Sequence, residues 1–96
     1  MDGPVFTRDD RRDRENRRKH GVSFEEASTA FSGKNARLMH DPDHSRGEDR
    51  FLLLGLSANL RLLVVCHTYR QDEREIRVIS ARRASPKERQ QYGRFL

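Results

Sequence analysis

The spacing of hydrophobic and polar positions changes along the chain and divides it into predicted helices and strands. Residues 8–20 hold no apolar side chain, but an acidic residue precedes a basic one by four positions three times, which is the favourable order on a helix. A capping box opens at Ser23, and apolar residues follow it at helical spacing. We therefore predict a tail over 1–7, a charged helix over 8–20 and a second helix over 23–31.

From residue 36 the apolar positions follow the spacing of strands. Four strands are predicted, and they span Ala36–His40, Arg50–Ser57, Leu60–Arg70 and Arg74–Arg82. The last two connections have the length of hairpin turns, so neighbouring strands should be antiparallel. A second capping box opens at Ser85, with proline at the first helical position, and predicts a final helix over 85–95.

These elements predict a single α+β domain over residues 1–96, in the order α-α-β-β-β-β-α. The expected fold is a four-stranded antiparallel sheet over 36–82, with helices packed mainly on one face. No stretch approaches the roughly 18 apolar residues that a membrane-spanning helix requires, and no apolar signal segment follows the start. We therefore expect a cytoplasmic protein with no membrane partner.

Basic residues outnumber acidic ones, and the two ends of the chain carry the excess. Lys and Arg number 20 against 15 Asp and Glu, giving a net charge of +5 and an isoelectric point near 10.1. Arginine accounts for 17 of the basic residues, and its planar fork grips phosphate with two hydrogen bonds. A basic rim on a near-neutral body predicts a polyanionic partner or an acidic protein partner; the alternative is that the charge serves solubility.

The expected hairpin turns set a strand register that places polar residues together. In this register Arg50, His67 and Arg77 oppose one another in a row, with Tyr69 and Glu75 beyond them. Because side chains alternate along a strand, all five should lie on one face of the sheet. The opposite face is mostly apolar and should take the helices.

Two arginines beside a histidine suit phosphodiester cleavage without a metal. Such a ribonuclease needs a base for the 2′-hydroxyl, cations for the phosphorane and a proton for the leaving 5′-oxygen. Two flanking cations should lower the pKa of His67 and keep it neutral, ready to act as the base. Glu75 is the alternative base, and Tyr69 or an arginine would assist the leaving group. The competing interpretation is a solvated row of polar strand ends.

Two other features favour structural roles. His40 and His44 flank Asp41-Pro42-Asp43 at a spacing seen among metal ligands, but further ligands are not assured, and these residues more simply form a turn. We therefore expect no metal and no cofactor. Cys66 falls on the apolar side of the predicted sheet, where it should be an inert buried thiol.

An ordered series of short segments resembles the BrnT family of ribonuclease toxins and extends from about Val5 to Tyr92. The segments are Asn16-x-x-Lys19-His20-Gly21-Val22-Ser23-Phe24-Glu25-Glu26-Ala27, Asp41-Pro42-Asp43-His44-Ser45, Glu48-Asp49-Arg50-Phe51, Gly55-Leu56-Ser57, Arg61-Leu62-Leu63-Val64-Val65, Thr68-Tyr69-Arg70, Arg77-Val78-Ile79-Ser80-Ala81-Arg82, and Glu88-Arg89 with Tyr92.

The resemblance implies a RelE-like toxin fold and metal-independent RNA cleavage that inhibits translation. It also implies a BrnA-like antitoxin with a ribbon-helix-helix dimer, joined to the toxin in a heterotetramer that reaches DNA only through the antitoxin. Toxins of this fold are expected to build their site on the concave face of the sheet. The arginines that match family positions are Arg61, Arg70, Arg77 and Arg82.

The register and the resemblance together define the candidate site. The catalytic candidates are Arg77, His67, Arg50, Glu75, Arg61 and Arg70. The RNA-binding candidates are Lys19, His20, Tyr69, Arg82, Arg83 and Tyr92. Residues 13–15 depart from the alanine-rich first helix of the family, and His67 stands where tyrosine is frequent. The alternative function is therefore a catalytically decayed toxin that acts as a nucleic-acid-binding or operon-regulating partner.

Overall fold

The computed structural model describes residues 3–45 and 47–93, whose main elements are five strands and three α-helices. The elements are β1 (Val5–Thr7), α1 (Asp10–His20), α2 (Phe24–Thr29), β2 (Arg37–His40), β3 (Phe51–Leu56), β4 (Leu62–Arg70), β5 (Glu75–Arg83) and α3 (Pro86–Gly93). The last predicted helical residues, 94–95, lie outside the described residues. None of the described helices combines the length and apolar character that crossing a membrane requires.

The strands form one mixed sheet in the order β1-β5-β4-β3-β2. The α+β class is as predicted, but the prediction of four antiparallel strands is wrong. Val5–Thr7, expected to belong to a tail, pairs in parallel with the start of β5, and the Val5 amide donates to the Arg74 carbonyl at 2.9 Å. A strand of three residues is too short to show an alternating pattern, so the sequence gives no signal for it.

The main core lies between the sheet and the second helix, on what we call the helix-covered face. Its buried residues are Val22, Phe24, Ala27, Ala30, Leu53, Leu63, Val65, Val78 and Ala81. A smaller core, in which Tyr92 of α3 and Ala84 pack on Leu54 and Val64, lies on the opposite face. We call this second face the open face, because α3 covers only one end of it.

The charged helix α1 docks through polar side chains, chiefly the amide of Asn16. Asn16 is the buried residue of this helix, and its Nδ2 donates to the carbonyl oxygens of Val22 and Ala81, each at 2.8 Å. Its Oδ1 accepts the Ala81 amide at 3.0 Å, so the side chain pairs with the edge of β5 as a neighbouring strand would. Asp13 accepts the Phe24 amide at 2.9 Å and ties the start of α2 to the same helix.

A β-bulge changes the register between β4 and β5. His67 opposes Val78, whereas its neighbour Cys66 opposes Ser80, so Ile79 is an extra residue on β5. A bulge of this kind locally bends the strand and redirects side chains. The alternation of side chains between the two faces of the sheet therefore shifts by one residue at Ile79.

Both hairpin registers differ from the predicted ones by one residue at the polar row. His67 opposes Phe51 and Val78 instead of Arg50 and Arg77. Because a slip of one residue moves a side chain to the other face, His67 lies on the helix-covered face while Arg50 and Arg77 lie on the open face. The predicted row of Arg50, His67 and Arg77 is therefore wrong.

The connection between β3 and β4 occupies residues 57–61 and is longer than the expected two-residue turn at Ala58-Asn59. Ser57 donates its amide to the Arg61 carbonyl at 2.8 Å, and the Leu60 amide donates to the Ser57 carbonyl at 2.9 Å. Leu60 adopts a φ of 61°. Leucine rarely adopts this left-handed conformation, so the sequence gives no signal for the turn.

Candidate nucleic-acid interface

Arginines from four neighbouring strands or their ends share the open face of the sheet. They are Arg37 on β2, Arg50 directly before β3, Arg70 on β4, and Arg77 and Arg82 on β5. A surface that gathers guanidinium groups on a sheet attracts the phosphates of a nucleic acid, and each planar fork can bind one phosphate with two hydrogen bonds. The open face is therefore the candidate site.

One row crosses the centre of this face and joins Arg50, Thr68 and Arg77. Thr68 opposes Arg77 on β5, and the β3–β4 register continued by one residue places Arg50 on its other side. Two strand spacings separate the arginines, so their Cα atoms lie about 10 Å apart. The sequence thus predicts the two arginines of the row correctly, but the residue between them is Thr68 instead of His67.

Thr68 is the one side chain of the described residues with a buried polar atom that lacks a hydrogen-bond partner. The residue is 1% exposed, and no group in the structure pairs with its Oγ1. Leaving a buried hydroxyl unpaired costs about 1–3 kcal/mol. Such an atom between two cationic residues is a candidate to meet a ligand oxygen.

A short loop places an imidazole beside this row. Asp41 and His44 line a groove with Arg50, Cys66 and Arg82. His44 Nδ1 lies 2.9 Å from a carboxylate oxygen of Asp41. Because a carboxylate only accepts, Nδ1 carries the proton and Nε2 is left as an acceptor.

The loop is held against the start of β3 by Ser45. Its hydroxyl donates to the Asp41 carbonyl at 2.5 Å and accepts the Arg50 amide at 3.0 Å. The sequence analysis weighs His44 as a metal ligand or as part of a turn and does not predict this arrangement. The Asp-Pro-Asp-His-Ser segment was the available signal, since an acidic residue three positions before a histidine can orient its ring.

The two histidines His40 and His44 bind separate carboxylates in the structure. His40 Nε2 lies 3.3 Å from Asp49, and His44 lies against Asp41. Within residues 3–45 and 47–93, no three metal-binding side chains gather into a potential site. The hydrogen bonds of the segment are those of a polar turn.

Cys66 lies on the open face, so its predicted position beneath the helices is wrong. It lines the groove with Arg50 and is partly exposed. Burial raises the pKa of its thiol. The thiol therefore stays protonated at neutral pH and is a poor nucleophile.

His67 is fully buried on the helix-covered face. Its Nδ1 lies 3.0 Å from the Val65 carbonyl and its Nε2 3.2 Å from the Tyr69 hydroxyl, and the Phe31 ring packs edge-on at 4.7 Å. Burial lowers the pKa of His67, so the ring is neutral as predicted, although the cause is desolvation and not flanking cations. His67 therefore lies on the other face of the sheet from Arg50 and Arg77 and cannot act in one row with them, as the predicted register required.

Tyr69 lies on the same face as His67, at its uncovered end. Its ring packs edge-on to Phe51 at 5.2 Å, and burial raises the pKa of its hydroxyl. The structure therefore separates Tyr69 from the open-face arginines with which the predicted register grouped it.

Arg61 forms a partly buried ion pair with Glu26, far from the other catalytic candidates. Its Nε donates to a Glu26 oxygen at 2.8 Å, its Nη2 donates to the second oxygen, and the Gly21 carbonyl accepts at 3.0 Å. Ser57 donates to the same carboxylate at 2.7 Å. The strand β4 separates Arg61 from Arg70 by about 30 Å, so the two cannot share one site.

Acid should destabilise the protein, because ion pairs of this kind require ionised carboxylates. The Arg61 guanidinium lowers the pKa of Glu26 to about 2, and Arg82 likewise lowers the pKa of Glu88 to about 2. Each depressed pKa gives stability that is complete above pH 4.5, the ordinary value, and is lost as the pH falls towards 2. For Glu26, the more buried, the loss is about 3 kcal/mol.

Urea unfolding between pH 2 and pH 6 measures this loss. Glu26→Gln should flatten the pH dependence, whereas the matched variant Glu25→Gln, at an exposed neighbour, should keep it. An unchanged slope in Glu26→Gln would show that the ion pair does not control the acid response.

Glu75 and Arg70 meet at the same end of the open face as Arg77. Glu75 opposes Arg70 in the register and accepts the Thr7 hydroxyl at 3.3 Å. Arg70 also approaches Glu48 at 3.8 Å. The structure therefore brings together four of the six catalytic candidates, Arg50, Arg70, Glu75 and Arg77.

The predicted RNA-binding residues fall in separate places. Lys19 and His20, at the end of α1, line a shallow groove beside β5. Arg82 lies on the open face and holds Glu88 of α3 through two hydrogen bonds of 2.8 and 2.9 Å. Arg83 and Tyr92 lie in another groove at the far end of the sheet. Of these residues, Arg82 lies on the open face with the catalytic candidates, and Tyr92 packs on the end of that face that α3 covers.

The comparisons with known proteins cover most of the chain. A family model described as the ribonuclease toxin BrnT of a type II toxin-antitoxin system matches residues 9–88. The chain is similar to the 1.1 Å crystal structure of the Brucella abortus ribonuclease toxin BrnT, with 22% identity, a TM-score of 0.60, and coverage of 88% of this chain and 99% of that one. At this identity the likeness shows the fold. No curated protein matches.

Proposed function

Because the chain belongs to the BrnT family of ribonuclease toxins of type II toxin-antitoxin systems, we propose that it cleaves RNA on the open face of its sheet. The resemblance stated from the sequence is confirmed. The observation that carries the proposal is the row of Arg50, Thr68 and Arg77, which no described helix covers, with the imidazole of His44 in the same groove as Arg50.

The row suits a phosphodiester that lies across it. Arg50 and Arg77 approach from opposite sides, so both can neutralise the charge that grows on phosphorus-bound oxygens in the transition state. The Thr68 hydroxyl, which has no partner among the described residues, donates to one of those oxygens. Arg70 and Arg82 bind neighbouring phosphates and position the chain.

His44 is the proposed base. Its Nε2 accepts the proton of the 2′-hydroxyl while Asp41 stabilises the imidazolium through Nδ1. The 2′-oxygen then bonds to phosphorus and the bond to the 5′-oxygen breaks, which leaves a 2′,3′-cyclic phosphate. The imidazolium returns the proton to the leaving oxygen. Glu75 remains the second candidate for the base.

The proposal extends to properties that the family implies. The chain cuts internal phosphodiesters without a metal, inhibits translation in the cytoplasm and folds as a RelE-like toxin. A BrnA-like antitoxin neutralises it in a heterotetramer that contacts DNA only through the antitoxin. The net charge of +5 and the arginines of the open face support an RNA substrate.

Cleavage of labelled RNA by the EDTA-treated protein tests this function. We expect internal cuts with 2′,3′-cyclic phosphate or 3′-phosphate ends, because the proposed chemistry uses only side chains. Activity that appears only after Mg²⁺ is added would overturn the metal-free mechanism. No cleavage of free RNA or of ribosome-bound RNA would favour the alternative, a decayed toxin that acts as a regulatory partner.

A further inference from the structure

We infer that a groove at the far end of the sheet docks an acidic, leucine-bearing segment of the antitoxin. We call it the leucine–arginine groove, and its principal residues are Leu56, Leu60, Arg61, Arg83, Arg89 and Tyr92. The inference rests on the proposed function in taking the protein partner to be the antitoxin. The groove lies about 20 Å along β3 from Arg50, so it is separate from the row of Arg50, Thr68 and Arg77.

The exposure of Leu60 and its backbone conformation are not explained by the fold of its own chain. The residue is 78% exposed, and Leu56 beside it is 39% exposed. The φ of 61° at Leu60 costs about 1–2 kcal/mol for a side chain with a Cβ. Glycine or asparagine would serve the turn better, so the leucine is accounted for by apolar contact with another molecule.

The rim of the groove is cationic and lacks acidic residues. Arg61 is already paired with Glu26, but neither Arg83 nor Arg89 forms an ion pair with any carboxylate of residues 3–45 or 47–93. Two unpaired guanidinium groups beside exposed leucines complement a segment that carries both carboxylates and apolar side chains.

The chemistry of the groove favours a protein over RNA and over a second copy. Aliphatic leucines do not stack on bases, and Tyr92, the aromatic residue of the groove, is only 9% exposed. Two copies of the groove would oppose arginine to arginine. The occupant that satisfies both the leucines and the arginines is an acidic protein segment.

Affinity measurements with the purified antitoxin of the same module test the inference. Leu60→Asp should weaken binding by about 30-fold or more, the loss typical of a buried interface anchor. Leu60→Gly should weaken it too, while the melting temperature of the free toxin stays equal or rises because glycine relieves the strain. Arg89→Glu should also weaken binding, and Arg89→Lys should retain most of it.

The matched control is Leu38→Asp, since Leu38 is 53% exposed on β2 and lies outside the groove. Its antitoxin affinity should stay within about threefold of wild type. Equal losses in Leu38→Asp and Leu60→Asp, a lower melting temperature in Leu60→Gly, or a change in the toxin's own oligomeric state would each overturn the inference.

Binding needs no RNA cleavage, so the two proposals fail separately. An inactive toxin whose antitoxin affinity depends on Leu60 would refute only the ribonuclease function. An active toxin whose Leu60 variants bind the antitoxin normally would refute only the groove. Absence of binding by the wild-type protein would remove the antitoxin as the occupant.

Discussion

Replacing Arg77 by alanine is expected to lower the rate of RNA cleavage by about 100- to 1000-fold, the range seen when one preorganised donor to the transition state is removed. Arg77 lies in the open-face row opposite Thr68, where the proposed mechanism brings its charge to the phosphate. Its side chain is not part of either buried core, so the melting temperature should change little. Single-turnover cleavage of labelled RNA measures the effect.

Two control variants give this experiment its specificity. Arg74→Ala removes an arginine that lines a different groove, and it should keep activity within about threefold of wild type. His67→Phe tests the competing register, because a catalytic His67 would make it inactive, whereas a histidine packed among Phe31 and Phe51 should tolerate the change. Full activity in Arg77→Ala would remove the row from the mechanism.

Asn16→Ala should lower the free energy of unfolding by about 3 kcal/mol, because one buried side chain makes three hydrogen bonds. The variant leaves the amide and carbonyl of Ala81 and the carbonyl of Val22 without partners. Total stabilities of small domains are about 5–15 kcal/mol, so the loss is a large fraction. Urea unfolding at neutral pH is the measurement.

The control is Asn35→Ala, which changes an exposed asparagine in a turn and should alter stability by less than about 0.5 kcal/mol. Asn16→Asp tests the donor group of the side-chain amide separately from its acceptor oxygen. Its carboxylate keeps an acceptor but faces two carbonyl oxygens, so it should be at least as destabilised as the alanine variant. A stable Asn16→Asp protein would show that α1 docks by other contacts.

The elements that the sequence predicts well are those with several turns or several alternations. Helix α1 follows from charge pairing and its C-terminal glycine, and β3 to β5 follow from apolar residues concentrated after residue 50. Strand β1 could not be found in this way, since its three residues pair with a strand 70 positions later. The docking role of Asn16 likewise depends on a partner 65 positions away.

The candidate site was predicted in its residue types more accurately than in its arrangement. Arg50 and Arg77 share a row, but the bulge at Ile79 and the long turn before β4 place Thr68 between them. No local sequence pattern indicates the bulge or the long turn. A register shift of one residue is enough to move a side chain to the other face of the sheet. The sequence also does not show that Glu26 is the partner of Arg61.

The bulged residue of β5 decides how the protein distributes its charge. Arg77 and Arg82 are separated by an odd number of positions, and in a regular strand such residues emerge on opposite sides. The extra residue at Ile79 corrects this parity, and both guanidinium groups emerge on one side. Deleting Ile79 would therefore not simply shorten the strand. It would divide the positive potential between the two surfaces of the sheet and force one arginine against the helices.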